Sequence, residues 1–365
     1  MFYQRQQTSR YEALDALRGI AAVGVLATHC LQQVIPDGTL NYTPLRMLVN
    51  GRSFVIFFFV LSGFVLATSI WNQRERFSYL NYSASRIARL YPPYLVAGIA
   101  GFLIAAVAGG AELSALWNYA IASGTKLGRT LNSPSWSLVY EIRLSFLMPL
   151  VCLVIVRNIW LAIALATALF IAGEVALITT GIGQFAYGGE TLFEALVTTV
   201  HFGISFIIGA LLAWDWRNKR MFFTLVSRHP VLMAGIAYIL MSVLLDQLSM
   251  IGAALLIALA MQLHRLEAFL SVPVLQWLGR ISYSLYLTHM LLLTGLDLAY
   301  KDVVPPIVLS IVGFLLAFAV AELFYWAVEK PCIVLSRKVR QFGCGPVFQS
   351  PTQAGSATSV EANSR

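Results

Sequence analysis

The run "YEALDALRGIAAVGVLATHC" carries Arg18 and His29 eleven residues apart in an otherwise apolar stretch. On an α-helix eleven residues turn through about 1100° and rise about 16 Å, so the two side chains share one face near opposite ends of a membrane crossing. A guanidinium grips anions such as phosphate, and an imidazole exchanges protons near neutral pH. Charged groups inside a bilayer cost about 2.5–3.5 kcal/mol each on insertion scales and usually face a partner or a cavity. The local alternative is that Asp15, one turn before Arg18, pairs with it near the head groups while His29 is a neutral core residue.

Further groups of this kind recur. The stretch "SPSWSLVYEIRLSF" enters the membrane from outside, which puts Trp136, Ser137 and Glu141 one or two turns below the outer surface, near the depth of His29. Arg143 is a poor partner for Glu141, because residues i and i+2 point to different sides of a helix. In "GRISYSLYLTHMLLL" Ser282 and His289 share a face with Tyr286 beside them, though Tyr–His pairs also occur as structural bonds between helices. Arg86 and Arg89 in "SRIARLYPPY" are three apart beside Tyr91 and Tyr94, a spacing that suits a phosphate-bearing ligand. Ser62 and Gly63 interrupt the aromatic run "FFFVLSGFVLATS", as close helix packing or a cavity wall requires. Depth sorts the set: Arg18, Arg86 and Arg89 toward the cytoplasm, His29 and Glu141 toward the outside, His289 between. The pattern predicts an anionic donor held from inside, and a base, His29, oriented by an acid, Glu141. One hydrophilic tunnel is expected to join Arg18 to His29.

These residues need a frame. Of 365 residues 58% are hydrophobic and 12% charged, against about a quarter charged in soluble domains. The apolar runs approach the roughly 20 residues that cross a bilayer as helix. The sequence predicts an all-α polytopic membrane protein, about ten transmembrane helices around a polar cavity, near 13–35, 53–71, 92–109, 136–156, 158–180, 192–213, 230–246, 249–263, 274–299 and 304–328. With the N-terminus inside, the outer loops hold only Arg46, Arg52, Lys126, Arg129 and Lys301, and most other Lys and Arg fall on the cytoplasmic side. Both termini are expected in the cytoplasm of a bacterial inner membrane. The net charge of +8 is then a matter of topology and anionic lipid head groups. Its division among separate loops argues against nucleic acid. Cys30, Cys152, Cys332 and Cys344 lack metal or redox spacing and are expected to be reduced thiols. His29, His201, His229, His264 and His289 include no pair at ligand spacing, so no metal is predicted. Residues 1–340 form the membrane domain, and 341–365, rich in Ser, Thr, Ala and Gln, are expected to be a disordered cytoplasmic tail.

The ordered stretches "LDALRGIAAVGVLATH", "FFFVLSGFVL", "SRIARLYPPY", "PSWSLVYEIRLSFLMPL", "GRISYSLYLTH" and "VEKP" resemble the membrane-bound acyltransferase type 3 family. The resemblance implies transfer of an acyl group, usually acetyl from acetyl-CoA, to a hydroxyl of a glycan or another exported molecule. It matches the family's Arg-x10-His pair to Arg18 and His29, its Arg-x-x-Arg pair to Arg86 and Arg89, and its Trp-Ser-Leu-x-x-Glu element to Trp136, Ser137 and Glu141. On that basis Arg18, Arg86 and Arg89 bind the donor, His29 and Glu141 catalyse, and Trp136, Ser137, Tyr286 and His289 contact substrate. An acetyl-imidazole on His29 is a second route. Expected partners are an acceptor glycan or lipid-linked sugar, membrane lipids and proteins of polysaccharide biosynthesis or export. Some members append an SGNH-type domain that completes transfer. Only the short tail follows the tenth span here, so the acceptor is acylated directly or through a separate protein. The competing reading is a proton-coupled transporter or flippase of a glycan or anionic metabolite, with His29 and Glu141 as its relay.

Overall fold

The computed structural model describes residues 2–35, 39, 43–73, 77–181, 189–218 and 221–341. The expected tail beyond Gln341 lies outside the described residues, as do Arg74, Arg76, Lys219 and Arg220. Every regular element among the described residues is helical. In chain order the helices are α1 (Phe2–Gln32), α2 (Gly51–Gln73), α3 (Tyr79–Val107), α4 (Leu113–Ala120), α5 (Lys126–Arg129), α6 (Trp136–Arg157), α7 (Ile159–Thr180) and α8 (Leu192–Arg217). There follow α9 (Met221–Arg228), α10 (Pro230–Ser242), α11 (Asp246–Gln262), α12 (His264–Leu270), α13 (Pro273–Tyr300), α14 (Pro306–Phe324) and α15 (Lys330–Gln341).

Seven helices are long and apolar enough to cross a membrane, and the pairs α9–α10 and α11–α12, bent by 103° and 95°, raise the number to nine. Helix α13 is not among them because Arg280, Ser282, Ser284, Thr288 and His289 dilute its apolarity. At 28 residues it is about 42 Å long, and it packs along α1. The seven to nine candidate crossings among the described residues fit an all-α polytopic membrane protein, with the expected number of about ten approximate.

Three features depart from the sequence-based expectation. The third crossing does not begin at Pro92. Helix α3 runs unbroken from Tyr79, capped by Ser78, with Pro92 and Pro93 inside it. Proline removes a backbone donor, and membrane helices tolerate it when neighbours satisfy the backbone. Here the Tyr283 hydroxyl donates to the Leu90 carbonyl at 2.8 Å. Arg86 and Arg89 therefore stand on a continuous helix and not on a loop. The last crossing likewise continues, through a π-helical turn at Tyr325–Glu329, into α15.

The third departure is the segment carrying α4 and α5, which folds back into the bundle between α3 and α6. Tyr119 stacks on Tyr94 with ring centroids 4.2 Å apart. Each hydroxyl donates to the other residue's carbonyl, at 2.9 and 3.0 Å. The Tyr91 hydroxyl donates to the Ala120 carbonyl, and the Asn132 amide donates to the Leu287 carbonyl at 3.0 Å. Tyr91 and Tyr94 are thus engaged by the protein itself. Because the chain enters α6 from inside the bundle, Trp136 is buried among Phe59, Tyr140 and Phe202 and does not lie at the membrane interface.

Helices α2 and α8 form the centre. A Cβ on Gly63 would strike the Phe206 carbonyl, and one on Gly209 the Val60 carbonyl, so their backbones touch. Small residues serve this purpose where lipid supplies no hydrophobic drive for association. Outward faces of α7 and α14 present Leu165, Leu169, Ile171, Ile311 and Leu315, as lipid contact requires.

Candidate active site

Helices α1, α2, α3, α6, α13 and α15, with the π-helical turn, enclose a cavity of about 540 Å³, within the roughly 300–1,000 Å³ of small-molecule sites. Its wall carries five arginines, Arg18, Arg86, Arg89, Arg280 and Arg337, against three carboxylates, Asp15, Glu141 and Glu329. The excess is cationic. Close backbone contact fixes one side of it: a Cβ on Gly19 of α1 would lie 2.5 Å from the Gly279 nitrogen of α13.

Most of the charges are paired. Arg18 donates to Asp15 at 2.9 Å, the local pair considered for that helix. Arg86 lies 3.5 Å from Glu141, which also accepts from the Ser62 hydroxyl at 3.2 Å. Arg280 reaches Glu322 at 3.1 Å and the face of Tyr325 at 5.4 Å. Glu329, 4% exposed, accepts from the Ser284 hydroxyl at 2.5 Å. The π-helical turn sets it there, as such turns often do at functional sites. Arg89 differs. It sits amid Arg86, Arg18, Glu329 and Glu141, yet it has no hydrogen bond or ion pair among the described residues. It is exposed, and it lines the cavity. A guanidinium with five unused donors facing a cavity is a ready seat for an anion.

Toward the other end the cavity stops at Phe58, Ser137 and Tyr286. The Tyr286 hydroxyl donates to the Pro134 carbonyl at 2.9 Å and lies 2.7 Å from the Ser137 hydroxyl. Beyond it, the His289 ring is 5.9 Å from that of Tyr286 and 5.4 Å from that of His29, stacked at 30°. His289 Nδ1 is 3.0 Å from the Leu285 carbonyl. A carbonyl only accepts, so Nδ1 bears the proton and Nε2 keeps its lone pair. That Nε2 is buried and without a partner. His29 is half-buried.

The structure therefore brings Arg18, Arg86, Arg89, Ser137, Glu141 and Tyr286 to one cavity and joins His29 to His289 beside it. It does not bring Glu141 to His29. Because α6 starts inside the bundle, the carboxylate comes level with Arg86. Neither histidine is part of this cavity's wall. Trp136 lies in the aromatic core, with the Arg52 guanidinium 5.8 Å from its ring. Arg143 turns away from Glu141, donating to the Ala122 and Ser123 carbonyls at 2.9 and 2.7 Å. Ser62 both lines the cavity and neighbours the Gly63 packing contact. Sequence reasoning missed Glu329 and Arg337. The one signal for Glu329 was a carboxylate closing an apolar run in "VEKP".

It also missed a buried network. Arg52 binds Asp246 through two bonds of 2.7 Å, and His201 bridges Asp246 and Glu174 at 2.9 and 3.0 Å. His201 thus links α8 to α7 and α11. Cys30, Cys152 and Cys332 are free thiols, and Cys344 lies outside the described residues. No cluster of three or more His, Cys, Asp or Glu suited to a metal occurs among the described residues.

These features define a polytopic all-α membrane protein with a cationic cavity that ends beside two stacked imidazoles. The model of the type 3 acyltransferase domain matches residues 11–326. The chain belongs to that family, and its chemistry is acyl transfer. The acyltransferase MdmB of Streptomyces mycarofaciens is 29% identical to it over 382 aligned residues, covering 92% of this chain and 95% of that protein. No solved structure matches the chain.

Proposed function

We propose that the protein is an O-acetyltransferase of the bacterial cytoplasmic membrane. It takes acetyl from cytoplasmic acetyl-CoA and delivers it to a hydroxyl of a cell-surface or exported glycan, or of its lipid-linked precursor. The observation that carries this reading is the unpaired Arg89 in a cavity of net positive charge. Coenzyme A is a polyanion on a long arm. Its phosphates match Arg18, Arg86, Arg89 and Arg337, and its thioester would extend toward Ser137 and Tyr286. The Lys and Arg bias of the loops supports a cytoplasmic opening and cytoplasmic termini.

In the transfer, the acceptor oxygen attacks the thioester carbon, a C–O bond forms and the C–S bond breaks. An imidazole nitrogen of the His29–His289 pair takes the hydroxyl proton and passes it to the leaving thiolate. Glu141 holds Arg86 in place. Attack by an imidazole to give a transient acetyl-histidine is the two-step form of the same exchange. Acceptor-supplying proteins of polysaccharide biosynthesis or export would be its partners.

Glycan-bound acetyl ester is the measurement that tests this, in cells carrying wild type, His29→Ala or Arg89→Ala at equal membrane abundance. Loss of ester in both variants is expected. Equal ester content in all three would end the reading.

A further inference from the structure

At the end of the cavity nearest the imidazole pair stand two rings. Phe58 and Tyr286 meet edge to face with centroids 5.9 Å apart, and Tyr286 in turn meets His289 at 5.9 Å. The two rings are held differently. Tyr286 is 5% exposed and tied by its hydroxyl to Pro134 and Ser137. Phe58 has no polar anchor. Between Phe57 at 2% and Phe59 at 1% exposure, it alone of the three consecutive phenylalanines is half-buried, and it lines the cavity.

Its position on α2 is informative. Ser62, which binds Glu141, lies one turn further along the same face, about 6 Å away along the axis. A ligand arm anchored at the arginines passes Ser62 and Glu141 and then meets the Phe58 ring. The acyl carbon comes to rest against that ring, with the imidazole pair on its far side, while Tyr286 stays fixed opposite.

We infer that Phe58, working against the anchored Tyr286, is the stop that sets acyl length and restricts the enzyme to a short acyl group. This rests on the acyl-thioester reading given above. A chain longer than acetyl must place its extra methylenes where the Phe58 ring lies. One misfit methylene in such a pocket changes selectivity about 10–200-fold.

The test uses inside-out membrane vesicles from cells producing the full chain, supplied with acetyl-, butyryl- or hexanoyl-CoA labelled in the acyl group. Incorporation of label into the non-protein fraction is read. Wild type is expected to favour acetyl over hexanoyl by about tenfold or more. Phe58→Ala and Phe58→Leu should narrow that ratio stepwise, and Phe58→Trp should widen it. The leucine variant keeps the test decisive where the alanine variant is lost from the membrane. A ratio unchanged in all the variants that reach the membrane, or a wild type that uses hexanoyl as well as acetyl, overturns the inference and leaves the acyl-thioester reading standing. No incorporation from any donor by wild type, with the protein present, overturns that reading and the stop with it.

Discussion

Arg89 and Glu141 carry the sharpest expectations at the level of single residues. Arg89 has no carboxylate of its own, so Arg89→Gln should raise KM for the acyl donor by about tenfold to a hundredfold, corresponding to one or two lost charge-assisted bonds. Arg89→Lys should recover part of this, because an ammonium keeps the charge but not the fork. Equal donor KM in all three proteins would remove Arg89 from the donor site. Glu141→Gln separates two roles. As the partner of Arg86 it should act mainly on donor KM. A fall in kcat alone would restore the imidazole-orienting role expected from the sequence. The difference in placement has a physical origin. The spacing of Arg18 and His29 follows from helix geometry within one segment and is legible. The depth of Glu141 depends on Tyr119 stacking on Tyr94, a contact between distant parts of the chain that no local pattern encodes.

At the level of helices, two contacts decide whether the cavity keeps its shape. Gly19 and Gly279 place the backbones of α1 and α13 together beside Asp15, Arg18 and Arg280. Gly279→Ala pushes a methyl into the Asp15 carbonyl, moves α1 and with it Arg18, and should lower transfer at unchanged membrane abundance. Intact transfer would show that α1 yields there at no cost. The second contact is the Arg52–Asp246–His201–Glu174 network, which ties α2, α11, α8 and α7 together. Asp246→Ala strands two buried groups and should cost about 3–5 kcal/mol, read as a large drop in Tm in detergent. A Tm within a degree of wild type would contradict it. Asp246 opens a helix at the end of a short apolar run, and in sequence it resembles any loop acid, so this network was not legible. The polytopic helical architecture was, because long apolar runs set it. The unbroken α3 was not, since Pro92 and Pro93 read as a start when taken without Tyr283.

Across the whole molecule, the Lys and Arg bias of the loops predicts one orientation, with the arginine-lined cavity open to the cytoplasm. A cysteine at Lys301 should react with a membrane-impermeant maleimide in intact cells, and one at Arg217 only after permeabilisation. The opposite labelling would invert the topology and contradict the proposed cytoplasmic acyl donor. The interruption at Phe58 and Tyr286 has a consequence for the cell as well as for the substrate. Water and ions that enter the cavity meet the Phe58 ring, which has no polar atom, and a Tyr286 hydroxyl already committed to Pro134 and Ser137, in a chamber whose charge repels cations. A wall of that kind would let the protein stand empty without short-circuiting the electrochemical gradient of the membrane that houses it.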